Sequence, residues 1–292
     1  MTDSWLMAVD GTGLYVRCAK AARYTGMTAP DGTPTGALTI FAQSLASIVR
    51  SVRPQRMLIA WDGGTEALNW RRALCPGYKR NRAVGYRTDP WWRDLREFGA
   101  VREFCNAAQI AQWCFSEFEA DDMLGAASRL ARQVLPEAKM IVASDDKDVL
   151  QLAEDGRVWV RGLGRDGVLT DAETVELLFG VRPEHMTMMR ALEGDRSDGI
   201  PGMPGIGRVR AVRMLHQAEF RWPPPDVPPG GEVDAWFRIM DLRDPPERPE
   251  DHDKTGFLDI RQTTWIPGNV LPVLEKYGMR SMAERWSAGH FW

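Results

Sequence analysis

Nine acidic residues stand where apolar runs end or where amphipathic runs begin. Asp10 follows Leu6-Met7-Ala8-Val9, and Asp62 follows Arg56-Met57-Leu58-Ile59-Ala60-Trp61. Glu119, Asp121 and Asp122 open an amphipathic stretch running through Leu130. Asp146 and Asp148 follow Lys139-Met140-Ile141-Val142-Ala143, and Asp195 and Asp198 precede a glycine-rich segment. One acid in a first helical turn is an ordinary dipole complement or cap. Three in four residues at 119–122 repel one another unless cations gather there. Oxygen ligands without histidine or cysteine select Mg²⁺ or Mn²⁺. One octahedral ion keeps several waters and cannot use so many carboxylates. Two ions roughly 3.5–4 Å apart could, and that arrangement hydrolyses phosphodiesters. Asparagine at Asp121 or Asp148 is therefore expected to stabilise the metal-free protein, by removing charge without volume.

A second group of residues suits phosphate. Gly194-Asp195-Arg196-Ser197-Asp198-Gly199-Ile200-Pro201-Gly202-Met203-Pro204-Gly205-Ile206-Gly207 is too rich in glycine and proline for a regular helix or central strand. Its two aspartates, three apart, would share one face of a helical turn. Arg208, Arg210 and Arg213 then open a helix, where backbone N–H groups can grip an anion. A dinucleotide fingerprint fits poorly, since a third glycine and a preceding strand are missing; a plain helix connector remains the simplest alternative.

Between positions 70 and 102 lie Arg71, Arg72, Lys79, Arg80, Arg82, Arg87, Arg93, Arg96 and Arg102, interleaved with Tyr78, Tyr86, Trp91 and Trp92. Cations among aromatics suit a single nucleic-acid strand; a solvated helix with tryptophans in the core is the other reading. The net charge of −3 over 292 residues is thus segregated rather than uniform, and does not exclude nucleic acid.

The elements that must carry these groups are legible in outline. Short apolar runs at 6–9, 56–61, 139–143 and 158–160 read as buried strands of a mainly parallel sheet, with helices at 38–52, 119–130 and 233–242. In such a sheet, residues just past the strands' C-terminal ends line the functional crevice. After Pro183 the chain reads as helices broken by proline, with loops at 222–231 and 244–249 and a closing helical region from Val270 to Trp286. No run is apolar for long enough to span a bilayer, and the start shows no secretory pattern. Cys18, Cys75, Cys105 and Cys114 form neither a zinc pattern nor a disulfide frame, which fits a reducing cytoplasm.

Six motifs, taken in order, resemble the 5′ nuclease family: Val9-Asp10-Gly11, Trp61-Asp62, Tyr78-Lys79-Arg80-Asn81-Arg82, Phe118-Glu119-Ala120-Asp121-Asp122, Asp146-Lys147-Asp148-Val149-Leu150-Gln151-Leu152, and Gly194-Asp195 through Gly207. That family comprises flap endonucleases, phage 5′–3′ exonucleases and the N-terminal nuclease domain of bacterial DNA polymerase I. The resemblance runs from Leu6 to about Leu215. It implies an α/β PIN-like domain over 1–182, with a helical arch at about 70–105, and a helix–three-turn–helix (helix-hairpin-helix) module within 183–292. It also implies that Asp10, Asp62, Glu119, Asp121 and Asp146 serve one metal, that Asp148, Asp195 and Asp198 serve the second, and that Asp122 supports them. Lys79 and Arg82 would act on the scissile phosphate. Tyr78, Arg80, Gly202, Gly205, Ile206, Gly207, Arg208 and Arg210 would contact DNA, with K⁺ at the hairpin. The expected partner is DNA with 5′ ends or flaps, bound by a monomer without membrane attachment. A PIN-domain ribonuclease and an inactive junction-binding protein are the alternatives. Asp145, where the family often has glycine, and Arg208-Val209, where it often has Glu-Lys, are departures.

Overall fold

The computed structural model of the chain describes residues 4–64, 66–80, 95–164 and 167–292. Six strands form one sheet: β1 (Trp5–Asp10), β2 (Arg56–Ala60), β3 (Ala111–Trp113), β4 (Lys139–Ala143), β5 (Val158–Arg161) and β6 (Leu169–Thr170). Their spatial order is β3-β2-β1-β4-β5-β6, parallel except for the antiparallel β6 at one edge. The chain therefore builds outward from β1 in one direction, returns, and builds outward from β4 in the other. A switch point between neighbouring central strands leaves a crevice beyond their C-terminal ends. Asp10 and the Ser144–Asp148 turn emerge there, because β1 and β4 pair in register from Trp5↔Lys139 to Val9↔Ala143.

Alternation along the strands feeds two cores. Met7, Val9, Met57 and Ile59 point to one face; Leu6, Ala8, Leu58 and Ala60 point to the other. The first face is covered by α1 (Gly11–Ala22), α2 (Gly36–Val52) and α4 (Leu95–Ala107), with α3 (Asn69–Leu74) lying earlier in the chain. The last helices, α11 (Leu271–Lys276) and α12 (Arg280–Ser287), return to this same face with Phe291. The second face takes α5 (Ala120–Val134), α6 (Ala172–Phe179), α7 (Met186–Glu193) and α8 (Arg208–Gln217). α9 (Glu232–Met240) and the short α10 (Pro249–His252) follow. Residues on both sides of position 182 thus share both cores. The boundary expected at 182/183 marks a change of local character, without a break in packing.

Strand and helix positions follow the sequence reading closely, since the apolar runs are short, sharply bounded and of the right period. One expectation fails. The segment carrying Asp195 and Asp198 is a tight turn rather than a helix, closed by reciprocal backbone bonds of 2.8 Å between Asp195 and Ile200. Gly199 takes φ +73° there, and a Cβ on it would lie 2.6 Å from the Gly77 carbonyl oxygen. The closing helical region from Val270 to Trp286 comprises two helices parted at Gly278. Arg82, Tyr86, Trp91 and Trp92, with the middle of the expected arch, lie outside the described residues.

Candidate active site

Asp10 ends β1 and caps α1 by accepting the Gly13 N–H at 2.7 Å. The carboxylate folds back so closely that a Cβ at Gly13 would stand 2.2 Å from Asp10 Oδ2. The run Asp10-Gly11-Thr12-Gly13 therefore holds this acid in place by leaving room for it. Ser144, at the end of β4, donates its hydroxyl to Asp10 Oδ2 at 3.1 Å, joining the two central strand ends. Asp62 follows β2. Its own N–H donates to Thr12 Oγ1 at 2.8 Å, and its Oδ1 accepts the Ala120 N–H at 2.7 Å. So α5 begins against acids from two directions: Asp62 across the crevice and its own N-cap, Glu119.

Glu119 is held by three donors. Tyr78 Oη donates at 2.9 Å, Lys79 Nζ at 2.5 Å, and the Arg71 guanidinium lies 3.2 Å away. Asp122 turns the other way. It accepts two bonds from Arg71, at 2.8 and 2.6 Å, and the Glu119 N–H at 2.9 Å. Its carboxylate is 1% exposed as a residue and fully engaged, so Asp122 braces Glu119 and is not among the acids facing the crevice. The resemblance gives it the same supporting place, apart from the eight acids that it assigns to the metals. The three acids at 119–122 are tolerable for the expected reason, a cation among them, but the cation is the buried Arg71.

Asp148 begins a short 3₁₀ turn, Asp148–Leu152, and its N–H donates to Asp146 Oδ1 at 2.8 Å. The turn is anchored from behind by buried Gln151. Gln151 donates to the Met240 carbonyl at 2.9 Å and accepts from Thr187 Oγ1 at 2.9 Å and the Leu242 N–H at 2.8 Å. Asp195 Oδ1 accepts from Ser197 through its N–H at 2.8 Å and its hydroxyl at 2.6 Å. Asp198 lies 3.7 Å from Lys79 Nζ, and its carbonyl accepts the Lys79 N–H at 2.7 Å. The first part of the segment expected to form the arch is thereby tied to the Asp195–Ile200 turn.

Arg190, in α7, is the residue that sequence reasoning missed. Its Nε donates to Asp148 Oδ1 at 2.9 Å and its Nη2 pairs with Asp195 Oδ2. The signal was available. An arginine between Met189 and Ala191-Leu192 on a buried helical face needs an acidic partner, because arginine is almost never fully buried unpaired. Asp145, the acid that departs from the family pattern, is explained locally: it accepts from Arg17 at 3.0 Å and from the Leu163 N–H at 2.9 Å.

Several of these acids hold their protons tightly. Burial pushes Asp10 up to about 7, with the nearby Asp62 and Asp146 adding to the effect against the Gly13 bond. Burial and then Asp146 and Asp10 raise Asp121 well above the usual carboxylate range. Asp148 rises to about 6 through burial, although Arg190 pulls it down. Asp62 is also raised, by close packing around its carboxyl and by Glu119. Its outer surface is open to solvent, so water screens part of that effect. Burial works against ionised Glu119 and Asp195 too, yet both are held low: Glu119 by Lys79 and Arg71, Asp195 by Ser197 and Arg190.

As donors, these oxygens suit a hard divalent cation. Among the described residues, however, no three acidic, histidine or cysteine side chains stand close enough to form a cage as positioned. Like charges at this density separate, and Lys79, Arg190 and Arg71 take up the oxygens of Glu119, Asp148, Asp195 and Asp122. The acids therefore line one crevice without converging on one point.

The residues expected to meet DNA divide in two. Tyr78 is only 4% exposed, with its hydroxyl on Glu119, so it positions an acid and offers no face for a base to stack on. Arg80 is exposed. The Gly/Pro hairpin between α7 and α8 has Gly202 and Gly205 at φ +70° and +74°. Ile206 and Met203 pack inward, while Gly207 has nothing within 4 Å of where a Cβ would be. Arg210 braces the hairpin by donating to the Gly205 carbonyl at 2.8 Å, and Arg208 lies over the Phe179 ring at 5.0 Å. The first turn of α8 has no side-chain cap, so its N–H groups face outward past Gly207.

An α/β sheet with acids at its switch point, followed by two helices joined through a Gly/Pro turn, defines a class that comparison with known proteins makes specific. Residues 5–180 match the family described as 5′-3′ exonuclease, N-terminal resolvase-like domain. The 5′-3′ exonuclease of Bacillus subtilis (strain 168) is 32% identical over 225 residues, covering 75% of this chain and 72% of that protein. DNA polymerase I of the same organism is 33% identical over 217 residues, covering 73% of this chain but 23% of the polymerase. The chain thus spans under a quarter of the polymerase relative's length. A structure of the bacteriophage T5 flap endonuclease, a pseudo-enzyme-product complex with DNA and metal ions, superposes with a TM-score of 0.66 at 18% identity. It covers 93% of this chain and 99% of that one, a likeness of fold. The chain belongs to the 5′-3′ exonuclease family.

Proposed function

We propose that the chain hydrolyses phosphodiester bonds of DNA at 5′ ends and 5′ flaps, using two divalent ions, Mg²⁺ or Mn²⁺. The observation that carries this reading is the gathering of Asp10, Asp62, Asp121, Asp146 and Asp148 along one crevice, with Asp10, Asp121 and Asp148 driven above their usual range by burial and by neighbouring acids, and Asp62 raised beside Glu119. Acids in that state favour bound positive charge. Asp10, Asp62, Glu119, Asp121 and Asp146 would hold one ion, and Asp148, Asp195 and Asp198 the other. Bound there, such ions supply an activated water and offset charge on the phosphate.

The chain's own residues do the remaining work. Lys79, ion-paired with Glu119 and Asp198, carries the positive charge that meets the scissile phosphate, and Arg82 belongs to the same basic segment. Tyr78 and Arg71 orient Glu119. The hairpin from Gly202 to Gly207 grips duplex backbone as a helix–three-turn–helix module, with its carbonyl oxygens offered to K⁺; Arg208, Arg210 and Arg80 add charge around it. Four cysteines without disulfides suit a reducing cytoplasm, where the protein would act as a monomer. The deciding experiment is cleavage of a 5′-flap DNA and its RNA counterpart, with and without Mg²⁺. Cutting of DNA only, abolished by chelator and by Asp146→Ala with flap binding retained, is the expected result. Equal cutting of RNA, or activity in chelator, would overturn it.

A further inference from the structure

Among the described residues, Arg190 is the one guanidinium that joins the turn bearing Asp148 to the turn bearing Asp195. It uses Asp148 Oδ1 and Asp195 Oδ2, oxygens that the second ion would also need. From the fork that it makes between these acids we infer that Arg190 competes with the second metal ion, and that DNA relieves this competition by drawing the guanidinium onto a phosphate. The inference rests on the two-ion reading and adds to it an order of events: DNA first, second ion after.

Three observations support it. The first is chemical, since a guanidinium satisfies two carboxylates with directed bonds, and a divalent ion sharing those oxygens must meet its charge repulsion. The second is positional. Arg190 stands on α7, which leads directly into the Gly202–Gly207 hairpin, so the element that meets duplex also carries the competing cation. Lys79 is mounted likewise on the basic segment, where it bridges Glu119 of the first group to Asp198 of the second. Both cations thus stand on elements that DNA would contact. The third is that the pair is largely buried but not sealed from solvent, the Arg190 side chain being 11% exposed and its partners Asp148 and Asp195 16% and 15% exposed. Arginine suits such an exchange, as its planar fork fits carboxylate and phosphate alike.

Mn²⁺ binding to the DNA-free protein, read by electron paramagnetic resonance and calorimetry, tests this. The wild type should bind one ion tightly and a second weakly. Arg190→Met should tighten the second by about 10- to 100-fold, the effect of no longer displacing hydrogen bonds between ionised groups, while leaving the first nearly unchanged. Arg190→Lys, which keeps the charge without the fork, should fall between them, and it serves if the methionine variant folds poorly. A non-cleavable 5′-flap DNA should tighten the second ion in the wild type and make little difference to Arg190→Met. An unchanged or weaker second site in Arg190→Met would overturn the inference and make Arg190 a support for Asp148. Failure of the wild type to bind any second ion, with or without DNA, would sink the two-ion reading itself.

Discussion

Lys79 donates to Glu119 at 2.5 Å and stands 3.7 Å from Asp198, so it already holds a position between acids from two parts of the chain. On its proposed role at the scissile phosphate, where charge develops, removing it should cost rate more than binding. Lys79→Ala is expected to slow single-turnover cleavage by about 10²–10³-fold, with flap affinity falling by far less. Equal losses in both would reduce Lys79 to a general phosphate contact. Asp10 leads to a different measurement. Its ordinary value is 3.8 and its folded value about 7, so the metal-free folded protein binds a proton that the unfolded chain releases. This stabilisation is present in acid and lost as pH rises through about 7. Between pH 5 and 8 the low-lying Glu119 and Asp195 remain ionised and do not oppose the trend. Melting in chelator should therefore occur at a lower temperature at pH 8 than at pH 5, with a smaller difference in Asp10→Asn. A melting point that rises over that interval would contradict the raised Asp10. Asp121 and Asp148 should also part company. Asp121 faces Asp146, Asp10 and Glu119, so Asp121→Asn relieves repulsion and should melt higher in chelator. Asp148 is paired with Arg190, and Asp148→Asn breaks that pair, so it should melt no higher than wild type.

The hairpin between α7 and α8 is an element whose backbone, more than its side chains, faces outward. Gly205 cannot test this cleanly, since φ +74° would strain any β-branched residue there whatever the DNA does. Gly207 can. Its φ of −96° and ψ of 176° are ordinary extended values, and open space surrounds its Cβ position. Gly207→Val should leave the melting temperature within about 2 °C of wild type, as expected for a surface change. It should nevertheless weaken duplex binding about tenfold or more, by blocking the close approach of phosphate to the α8 N–H groups. Full duplex affinity in that variant would make the hairpin a connector. Metal binding should be unaffected, because the acids proposed as ligands sit at strand ends and in the Asp195–Ile200 turn.

At the scale of the whole molecule, the two ends of the chain support one face of the sheet. Phe291 is 3% exposed, packs against Phe104 at 6.1 Å between ring centroids, and accepts a bond from Arg50 through its carbonyl. Trp265 donates from Nε1 to the Ala108 carbonyl at 3.0 Å, fastening the segment ahead of α11 to the same side. Phe291→Ala should cost about 3–5 kcal/mol by opening a cavity, lowering the melting point on the order of 5–10 °C. Cleavage per folded molecule at low temperature should stay near wild type, since the crevice lies at the strand ends. A selective loss of activity without a loss of stability would show that the closing helices reach the site.

Much of this protein is decided by its sequence alone. The strands at 5–10, 56–60, 139–143 and 158–161 are short apolar runs with hard stops, and each stop is an acid or a glycine turn, so position and orientation follow from period and punctuation. The ligand chemistry is legible for the same reason, as residue type is written directly in the chain. Only the tertiary structure decides which oxygens remain for a metal. Asp121 and Asp122 are neighbours of identical chemistry, yet a helix rotates successive side chains by about 100°, so one faces the crevice and the other Arg71. Tyr78 reads as a stacking residue until packing puts its ring inside and its hydroxyl on Glu119. Arg190, over forty residues beyond Asp148, becomes its partner through the order β1-β4 at the switch point and the packing of α7 beneath it. Such pairings depend on distances that no local pattern contains, because they are set by how the layers close around the sheet.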